Sequence, residues 1–253
     1  MRRRRTGLRI ALLLVAGGLA AGCGNGDPAR DDDADTRRYE HDFATGVGTW
    51  IGDTADYGVD TAPLDARIEA RPLPAPFTGV GLYMGGTNRS DDLFVYARTA
   101  VSDLVPGQPY RVAIDVEFLT DAPRDCVGVG GAPGESVWLV AGAAAHEPVT
   151  RFDGTDYRVD IDRGNQATGG RDAVVLGDVA GTNPDCLERS FEQKRLATAV
   201  PSPLRVRADA RGTVWLLVGL DSGYESRSAI YLRRVSATLT PELAQAGTGG
   251  GER

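Results

Sequence analysis

Apolar and polar side chains alternate along residues 110–118, which is the period of a β-strand with one buried face. The apolar positions are Tyr110, Val112, Ile114, Val116 and Phe118, and most residues between them are charged. Similar runs predict eight more strands, at 66–70, 79–84, 93–100, 136–140, 157–162, 204–208, 213–220 and 229–239. The run at 213–220 is apolar on both faces, which indicates a central strand packed on both sides.

Turn-forming Gly, Pro, Asn and Asp residues separate these runs, and only the stretch 187–199 has a weakly helical pattern. About ten short strands with very little helix predict an all-β protein, a two-sheet antiparallel β-sandwich or jelly roll. No second linker interrupts the strand-rich region, so we expect a single domain over residues 39–241.

The N-terminus has the pattern of an export signal. Four arginines at 2–5 and Arg9 precede an apolar run that is too short to span a membrane and ends in small residues before Cys23. The sequence AAGC at 20–23 resembles the bacterial lipobox, which implies cleavage after residue 22 and a lipid on Cys23. We therefore predict a lipoprotein signal peptide at 1–22. The exported protein would be anchored to the outer face of the bacterial cell membrane by lipid on Cys23, with palmitate among its acyl chains. An ordinary signal peptide with an incidental cysteine is the alternative.

The charge of the chain argues against nucleic acid as a partner. Its formal net charge is −7, and without residues 1–22 it has 23 basic and 35 acidic residues, a net charge of −12. Such a chain repels phosphate backbones, so membrane attachment would come from the lipid. Residues 23–38 lack apolar periodicity and predict a flexible acidic tether, and the glycine-rich residues 242–253 predict a disordered tail.

The two remaining cysteines, Cys126 and Cys186, form an even pair in a protein expected outside the cytoplasm. We predict a disulfide between them, which would stabilise the fold by about 4 kcal/mol for a loop of roughly 60 residues. Two free buried thiols are the alternative.

Several segments carry a family resemblance. The segments DFATGVGTW at 42–50, VPGQPYRV at 105–112 and IYLRRVSATL at 230–239 resemble galactose-binding-type jelly rolls. The segments GVGGAPGESV at 128–137, DRGNQ at 162–166 and GLDSGYE at 219–225 are similar to a family of bacterial exported lipoproteins with such a β-sandwich. The resemblance implies an architecture and brings no activity with it.

One strand pattern is typical of a glycosidase. Asp115 and Glu117 resemble part of the Glu-x-Asp-x-Glu strand of laminarinase-type jelly-roll enzymes, in which the first Glu is the nucleophile. Ala113 stands at that position, so the covalent intermediate could not form, and a strand with one polar face explains the pattern more simply. A glycosidase built on Glu117 and Glu135 requires the two carboxyls to face one cleft about 5–10 Å apart.

Oxygen-rich turns raise a calcium hypothesis. Asp160 and Asp162 lie near a turn, and Asp91 and Asp92 form a second acidic cluster. The spacing is not that of an EF-hand, and solvated acidic turns are the alternative. Structural calcium is the one cofactor that the sequence suggests.

The candidate ligand-binding residues are two aromatic and seven polar residues: Trp50, Tyr57, Asp115, Glu117, Glu135, Asn165, Gln166, Asp221 and Glu225. Aromatic residues can stack on sugar faces, although core packing explains such residues more often. We expect a binding or accessory module for a glycan or another cell-envelope ligand, by analogy with the architecture. A secreted hydrolase and a structural envelope protein are the alternatives.

Overall fold

A computed structural model describes residues 36–242, which contain 17 strands and two short 3-10 turns at Phe43–Thr45 and Val59–Thr61. The strands are β1 Arg37–Asp42, β2 Ile51–Ala55, β3 Tyr57–Gly58, β4 Leu64–Pro72, β5 Val80–Thr87, β6 Leu93–Val101, β7 Pro109–Thr120, β8 Val137–Ala144, β9 Thr150–Phe152, β10 Asp156–Val159, β11 Gly164–Asn165, β12 Thr168–Gly169, β13 Ala173–Asp178, β14 Glu192–Ala197, β15 Arg205–Arg207, β16 Val214–Ser222 and β17 Arg227–Pro241.

Two large antiparallel sheets form the domain. The seven-stranded sheet has the order β14-β7-β17-β5-β4, with β1 added to β17 and β15 added to β7. The five-stranded sheet has the order β13-β8-β16-β6-β2. The predicted all-β antiparallel class is confirmed. Eight strands lie outside the nine predicted runs: β3, β9, β11 and β12 have two or three residues each, and β1, β2, β13 and β14 have five or six.

The core lies between the two sheets. On β7 the residues Tyr110, Val112, Ile114, Val116 and Phe118 are all buried in this core, as their alternation predicts. They contact the apolar face of the five-stranded sheet, so the polar residues of β7 point away from it.

The central strand β16 is buried on both faces, as its double-sided apolar pattern predicts. Val218 and Leu220 belong to the main core, whereas Leu217 belongs to a second, smaller core on the other face of the sheet. Residues 145–172, which we call the cover segment, contribute Val159 and Ile161 to this second core. The outer face of the five-stranded sheet is therefore covered, and the outer face of the seven-stranded sheet carries mainly polar side chains.

The weak helical prediction at 187–199 is wrong, because this stretch contains β14. Lys194 and Leu196 of β14 lie opposite Phe118 and Val116 of β7, and alternate residues of β14 are half-buried. Pairing with a long neighbouring strand outweighs a weak local helix preference.

The ordered chain extends slightly past the predicted domain limits. β1 begins at Arg37, inside the predicted tether, and the Glu242 N–H donates to the carbonyl of Pro109 at 2.8 Å. The predicted signal peptide, Cys23 and most of the tether and tail lie outside the described residues. Within residues 36–242, no helix is both long and apolar enough to cross a bilayer.

Candidate functional site

The first candidate site is an arginine cluster, made of Arg163, Asp56, Asp92 and Asp221. Asp56 follows β2, Asp92 precedes β6 and Asp221 is near the end of β16, and the strand pairing brings these three positions to the same end of the five-stranded sheet. Arg163 reaches them from the cover segment. Arg163, Asp56 and Asp221 are buried, and Asp92 is mostly so.

Arg163 pairs with all three carboxylates. Its Nε lies 2.7 Å from Asp56 Oδ2, and its Nη2 lies 3.4 Å from Asp92. Its Nη1 donates to Asp221 Oδ2, which also accepts the backbone N–H of Gln166. The guanidinium carbon lies 4.5 Å from the centre of the Phe94 ring, so the arginine is held by both charge and ring contact.

The cluster holds more negative than positive charge in a desolvated place, which favours the protonated forms of Asp92 and Asp221. Burial raises the pKa of Asp92 to about 7, and repulsion from Asp221 acts in the same direction. Burial also raises the pKa of Asp221. The Asp221 Oδ1 atom is buried without a hydrogen-bond partner among the described residues, which suits a proton held between the two acids.

A pocket of about 200 Å³ opens at this cluster and is also lined by Arg158, Asp162 and Asn165. Arg158 pairs with Asp156 at 2.9 Å and with Asp56 at 3.3 Å. Because both arginines already have carboxylate partners, the cluster fastens the cover segment to the sheet and leaves little free charge for a ligand.

The structure brings some predicted site residues together here. Asn165 lines the pocket, and Asp221 accepts from the Gln166 N–H at 2.6 Å. The Gln166 side chain donates to the carbonyl of Asp91 at 2.9 Å. Glu225 lies elsewhere, where its N–H donates to the carbonyl of Val129. These contacts join loops to each other, which is a structural role.

The predicted aromatic residues lie apart. Trp50 is 6% exposed and packs in the core against Tyr39 and Phe43, with ring centres 6.4 and 5.7 Å away. Tyr57 is half-buried and stacks on Tyr157 of the cover segment at 5.0 Å. Core packing thus accounts for Trp50, and contact between β3 and β10 accounts for Tyr57.

The two carboxylates of the glycosidase hypothesis lie on different elements. Glu117 is on the polar face of β7, where Asp115 pairs with Arg195 of β14 at 2.8 Å. Glu135 precedes β8, and its Oε1 accepts the N–H of Asp125 at 2.7 Å. Neither of the two pockets described in this section is lined by Glu117 or Glu135.

Two of the four predicted calcium ligands, Asp160 and Asp92, form ion pairs with arginines of the protein. Asp160 accepts from the Val149 N–H at 2.9 Å and pairs with Arg151 at 3.1 Å, and Asp92 belongs to the arginine cluster. Across residues 36–242, no group of three His, Cys, Asp or Glu side chains is arranged to hold a metal ion. Calcium binding stays a prediction.

A second site was not anticipated from the sequence, and it lies on the outer face of the seven-stranded sheet. The strand registers place one row of residues across five strands, in the order Gln193, Leu119, Tyr231, Tyr83 and Glu69. Two tyrosines therefore stand side by side at the middle of this face, with ring centres 5.3 Å apart.

The tyrosine pocket, of about 210 Å³, is formed around these rings. Its wall includes Phe191, whose ring centre lies 5.7 Å from that of Tyr231 in an edge-on arrangement. Ala229 and the neighbouring Gly85 are small, which leaves space beside the tyrosines. The lining residues are Tyr83, Asp121, Arg189, Phe191, Arg227, Ala229 and Tyr231.

Polar groups surround the rings. The Arg227 Nη2 donates to the Tyr83 hydroxyl at 3.1 Å, and the Arg71 guanidinium lies 3.9 Å from the centre of the Tyr83 ring. A sequence signal for this pocket exists in the 229–239 run, because Tyr231 stands between the core residues Ile230 and Leu232 and so must face outward. No local signal places Phe191 beside it.

The predicted disulfide between Cys126 and Cys186 is confirmed, with the two Cα atoms 5.8 Å apart. It ties the loop after β7 to the segment that carries Arg189 and Phe191. The disulfide is therefore a tether for one wall of the tyrosine pocket.

The chain matches no protein-family model and no curated protein. A carbohydrate-binding module studied for specific mannan recognition is 14% identical, with a TM-score of 0.36 over 80% of this chain and 98% of the module. The K3 cleaved adhesin domain of Lys-gingipain from Porphyromonas gingivalis W83 is 12% identical, with a TM-score of 0.37 over 79% and 97%. The family 11 carbohydrate-binding module of a Clostridium thermocellum cellulosomal cellulase is 10% identical, with a TM-score of 0.33 over 83% and 98%. TM-scores below 0.5 carry no conclusion about the ligand of this chain, and its place in the exported-lipoprotein family stays a prediction.

Proposed function

We propose that this protein is a binding module whose ligand is a carbohydrate and whose binding site is the tyrosine pocket. The observation that carries the proposal is the combination of two half-buried rings, Tyr231 and Phe191, with guanidinium, carboxylate and hydroxyl groups in one small depression beside the buried ring of Tyr83. A sugar ring has apolar C–H faces and a rim of hydroxyls, and both kinds of surface find partners here.

The size of the pocket limits what it holds. Pockets for drug-sized ligands measure about 300–1,000 Å³, whereas this one is about 210 Å³. One sugar ring would occupy it, and the rest of a glycan would lie along the polar face of the sheet. Such a shallow contact is suited to binding and retention of a polymer.

A glycan array with the full chain, followed by calorimetric titration of each positive glycan, tests the proposal. Tyr231→Ala and Phe191→Ala should each weaken binding about 30-fold, the cost of removing an aromatic anchor. Ala229→Leu should weaken it as well, because the larger side chain fills the pocket and leaves every polar group in place.

Phe152→Ala is the matched control, since Phe152 is a 50% exposed aromatic residue of β9 that does not line the tyrosine pocket. It should bind like the unaltered chain. The absence of binding to any glycan by a chain that circular dichroism shows to be folded would overturn the proposal.

We also propose that the module is exported and held at the outer face of the cell membrane by lipid on Cys23. The basic and apolar leader and the lipobox-like AAGC support this. Mass spectrometry of the native N-terminal peptide tests it: an acylated Cys23 is expected, and an unmodified one contradicts the anchor.

A further inference from the structure

We infer that the tyrosine pocket selects an acidic sugar, one that carries a carboxylate such as a uronic acid. The inference rests on the proposed carbohydrate-binding function and specifies its ligand class. The side chains that line the pocket have a net positive charge, whereas the chain as a whole has a net negative charge.

Two guanidinium groups of the pocket form no close ion pair within the described residues, although Asp121 acts on Arg227 at longer range. Arg189 and Arg227 both line it and are exposed, and neither forms an ion pair with any carboxylate of residues 36–242. Arg227 is nevertheless oriented, because its Nη2 donates to the Tyr83 hydroxyl. Asp121 is the one acidic residue that lines the pocket, so the lining has a net charge of +1.

This surplus is unusual for the molecule. The chain as a whole has a net charge of −7. In the arginine cluster, by contrast, one buried guanidinium faces three carboxylates. Two arginines without an ion pair, next to aromatic rings, therefore offer an anionic group charged donors that no protein carboxylate has to release.

The geometry of arginine favours a carboxylate. A guanidinium offers parallel N–H donors that match the two oxygens of a planar carboxylate, and such charge-assisted bonds are about twice as strong as neutral ones. The uronate ring would lie against Tyr231 and Phe191 while its carboxylate meets Arg227 and Arg189. Asp121 would accept hydrogen bonds from the ring hydroxyls.

The test compares each acidic oligosaccharide with its own methyl ester. Oligomers of galacturonate, glucuronate and mannuronate are titrated into the full chain, and the methyl ester keeps the ring while removing the charge. At least one acid form should bind about 10-fold or more tightly than its ester, and its affinity should fall as salt rises.

Variants of the lining assign the selectivity to this pocket. Arg227→Ala and Arg189→Ala should each bring the acid-to-ester affinity ratio close to one, and Arg227→Lys should restore part of it. Asp121→Asn should raise the affinity for the acid several-fold and leave that for the ester nearly unchanged. Arg207→Ala, an exposed arginine of β15 outside the pocket, should preserve the ratio.

The outcomes separate the two levels of the proposal. Equal binding of acid and ester, or a preference for sulfated over uronate sugars, overturns the inference and leaves carbohydrate binding standing. A preference that survives in both arginine variants also overturns it. Binding of no glycan at all overturns the proposed function itself.

Discussion

Buried ion pairs of single residues hold the cover segment of this protein against the five-stranded sheet. Arg163 joins the cover segment to three strands of the five-stranded sheet through Asp56, Asp92 and Asp221. A buried ion pair adds little over a well-packed apolar contact, but removing one partner leaves uncompensated charge. The residues of the cluster should therefore be far less tolerant of substitution than the surface arginines.

Replacement of Arg163 by methionine tests this expectation. Arg163→Met should lower the free energy of unfolding by about 3–5 kcal/mol near pH 8, because Asp221 loses its ion-pair partner and Asp56 and Asp92 keep only the exposed Arg158. Urea unfolding followed by circular dichroism measures the change, and Arg207→Met should stay within about 0.5 kcal/mol of the unaltered chain. A cost for Arg163→Met as small as that control would contradict the fastening role.

The raised pKa of Asp92 predicts the direction of a pH dependence. The folded chain keeps a proton on Asp92 up to about pH 7, whereas the unfolded chain releases it near pH 4. The folded state binds more protons over this interval, so the contribution of Asp92 to stability falls as pH rises from about 4 to about 7 and is constant above.

Unfolding free energies measured at several pH values between 4 and 9 check this. The stability of Asp92→Asn relative to the unaltered chain should increase over the same interval, because the amide does not titrate. The exposed Asp60→Asn serves as a charge-matched control and should show no such trend. A constant difference between Asp92→Asn and the unaltered chain would refute the assignment.

The sequence predicts the cluster only in part. Asp221 stands out at the end of a strong strand pattern, but its partner Arg163 lies 58 residues away in the chain. No local pattern shows that the loop at 145–172, which precedes β16 in the chain, lies over the sheet and buries that carboxylate. The same limit applies to the tyrosine pocket, whose two tyrosines come from β5 and β17, 148 positions apart in sequence.

Among the elements, β16 is a strand whose central position the sequence predicts and whose two faces are both buried. Its apolar run on both faces predicts a central strand, and β6 and β8 flank it. Gly219 faces the stacked rings of Phe94 and Tyr96, whose centres are 5.1 Å apart. β14, in contrast, was not predicted, because its strand form depends on pairing with β7 rather than on its own pattern.

Adding a methyl group at Gly219 should lower the free energy of unfolding. In Gly219→Ala the new Cβ would overlap the Phe94 ring and lie 3.0 Å from the Tyr96 Cβ, so we expect a loss of about 1–3 kcal/mol from overpacking. Phe94→Leu in the same chain should recover part of that loss, which a double-mutant cycle of unfolding free energies measures. Strict additivity of the two changes would mean that the overlap is not the cause.

The disulfide connects two elements and should affect both stability and binding. The double variant Cys126→Ala/Cys186→Ala should lose about 4 kcal/mol of unfolding free energy, as expected for a separation of 60 residues. It should also bind the glycan ligand more weakly, since the segment with Arg189 and Phe191 loses its tether.

Two measurements separate these effects. Urea unfolding gives the stability change, and titration well below the unfolding midpoint gives the affinity of the folded state. A reducing agent should weaken binding by the unaltered chain and have no further effect on the double variant. Unchanged affinity in the folded double variant would show that the pocket wall holds its position without the disulfide.

At the scale of the whole molecule, the two sheets have different exposures. The cover segment packs on the outer face of the five-stranded sheet, whereas the proposed ligand site lies on the outer face of the seven-stranded one. Composition predicts the acidic character of the whole but not the local surplus of positive charge, which depends on which side chains converge on one face.

The proposed lipid anchor makes attachment of the molecule depend on Cys23, a residue far from the pocket in sequence. Cys23→Ser should move the exported protein from the membrane fraction to the soluble fraction, because lipid rather than a basic surface is expected to hold it. Fractionation and immunoblotting measure this, and glycan binding by the released protein should be unchanged. A Cys23→Ser chain that still sediments with membranes would require another means of attachment.

The position of the disulfide also affects the stage of export at which the proposed ligand binding becomes possible. Thiols stay reduced in the cytoplasm, so a chain awaiting export would have its tyrosines but not the bond that secures Arg189 and Phe191. Ligand capture would then mature only after the chain crosses the membrane. A sugar-binding surface completed by oxidation would spare the cell premature binding to glycan precursors made inside it.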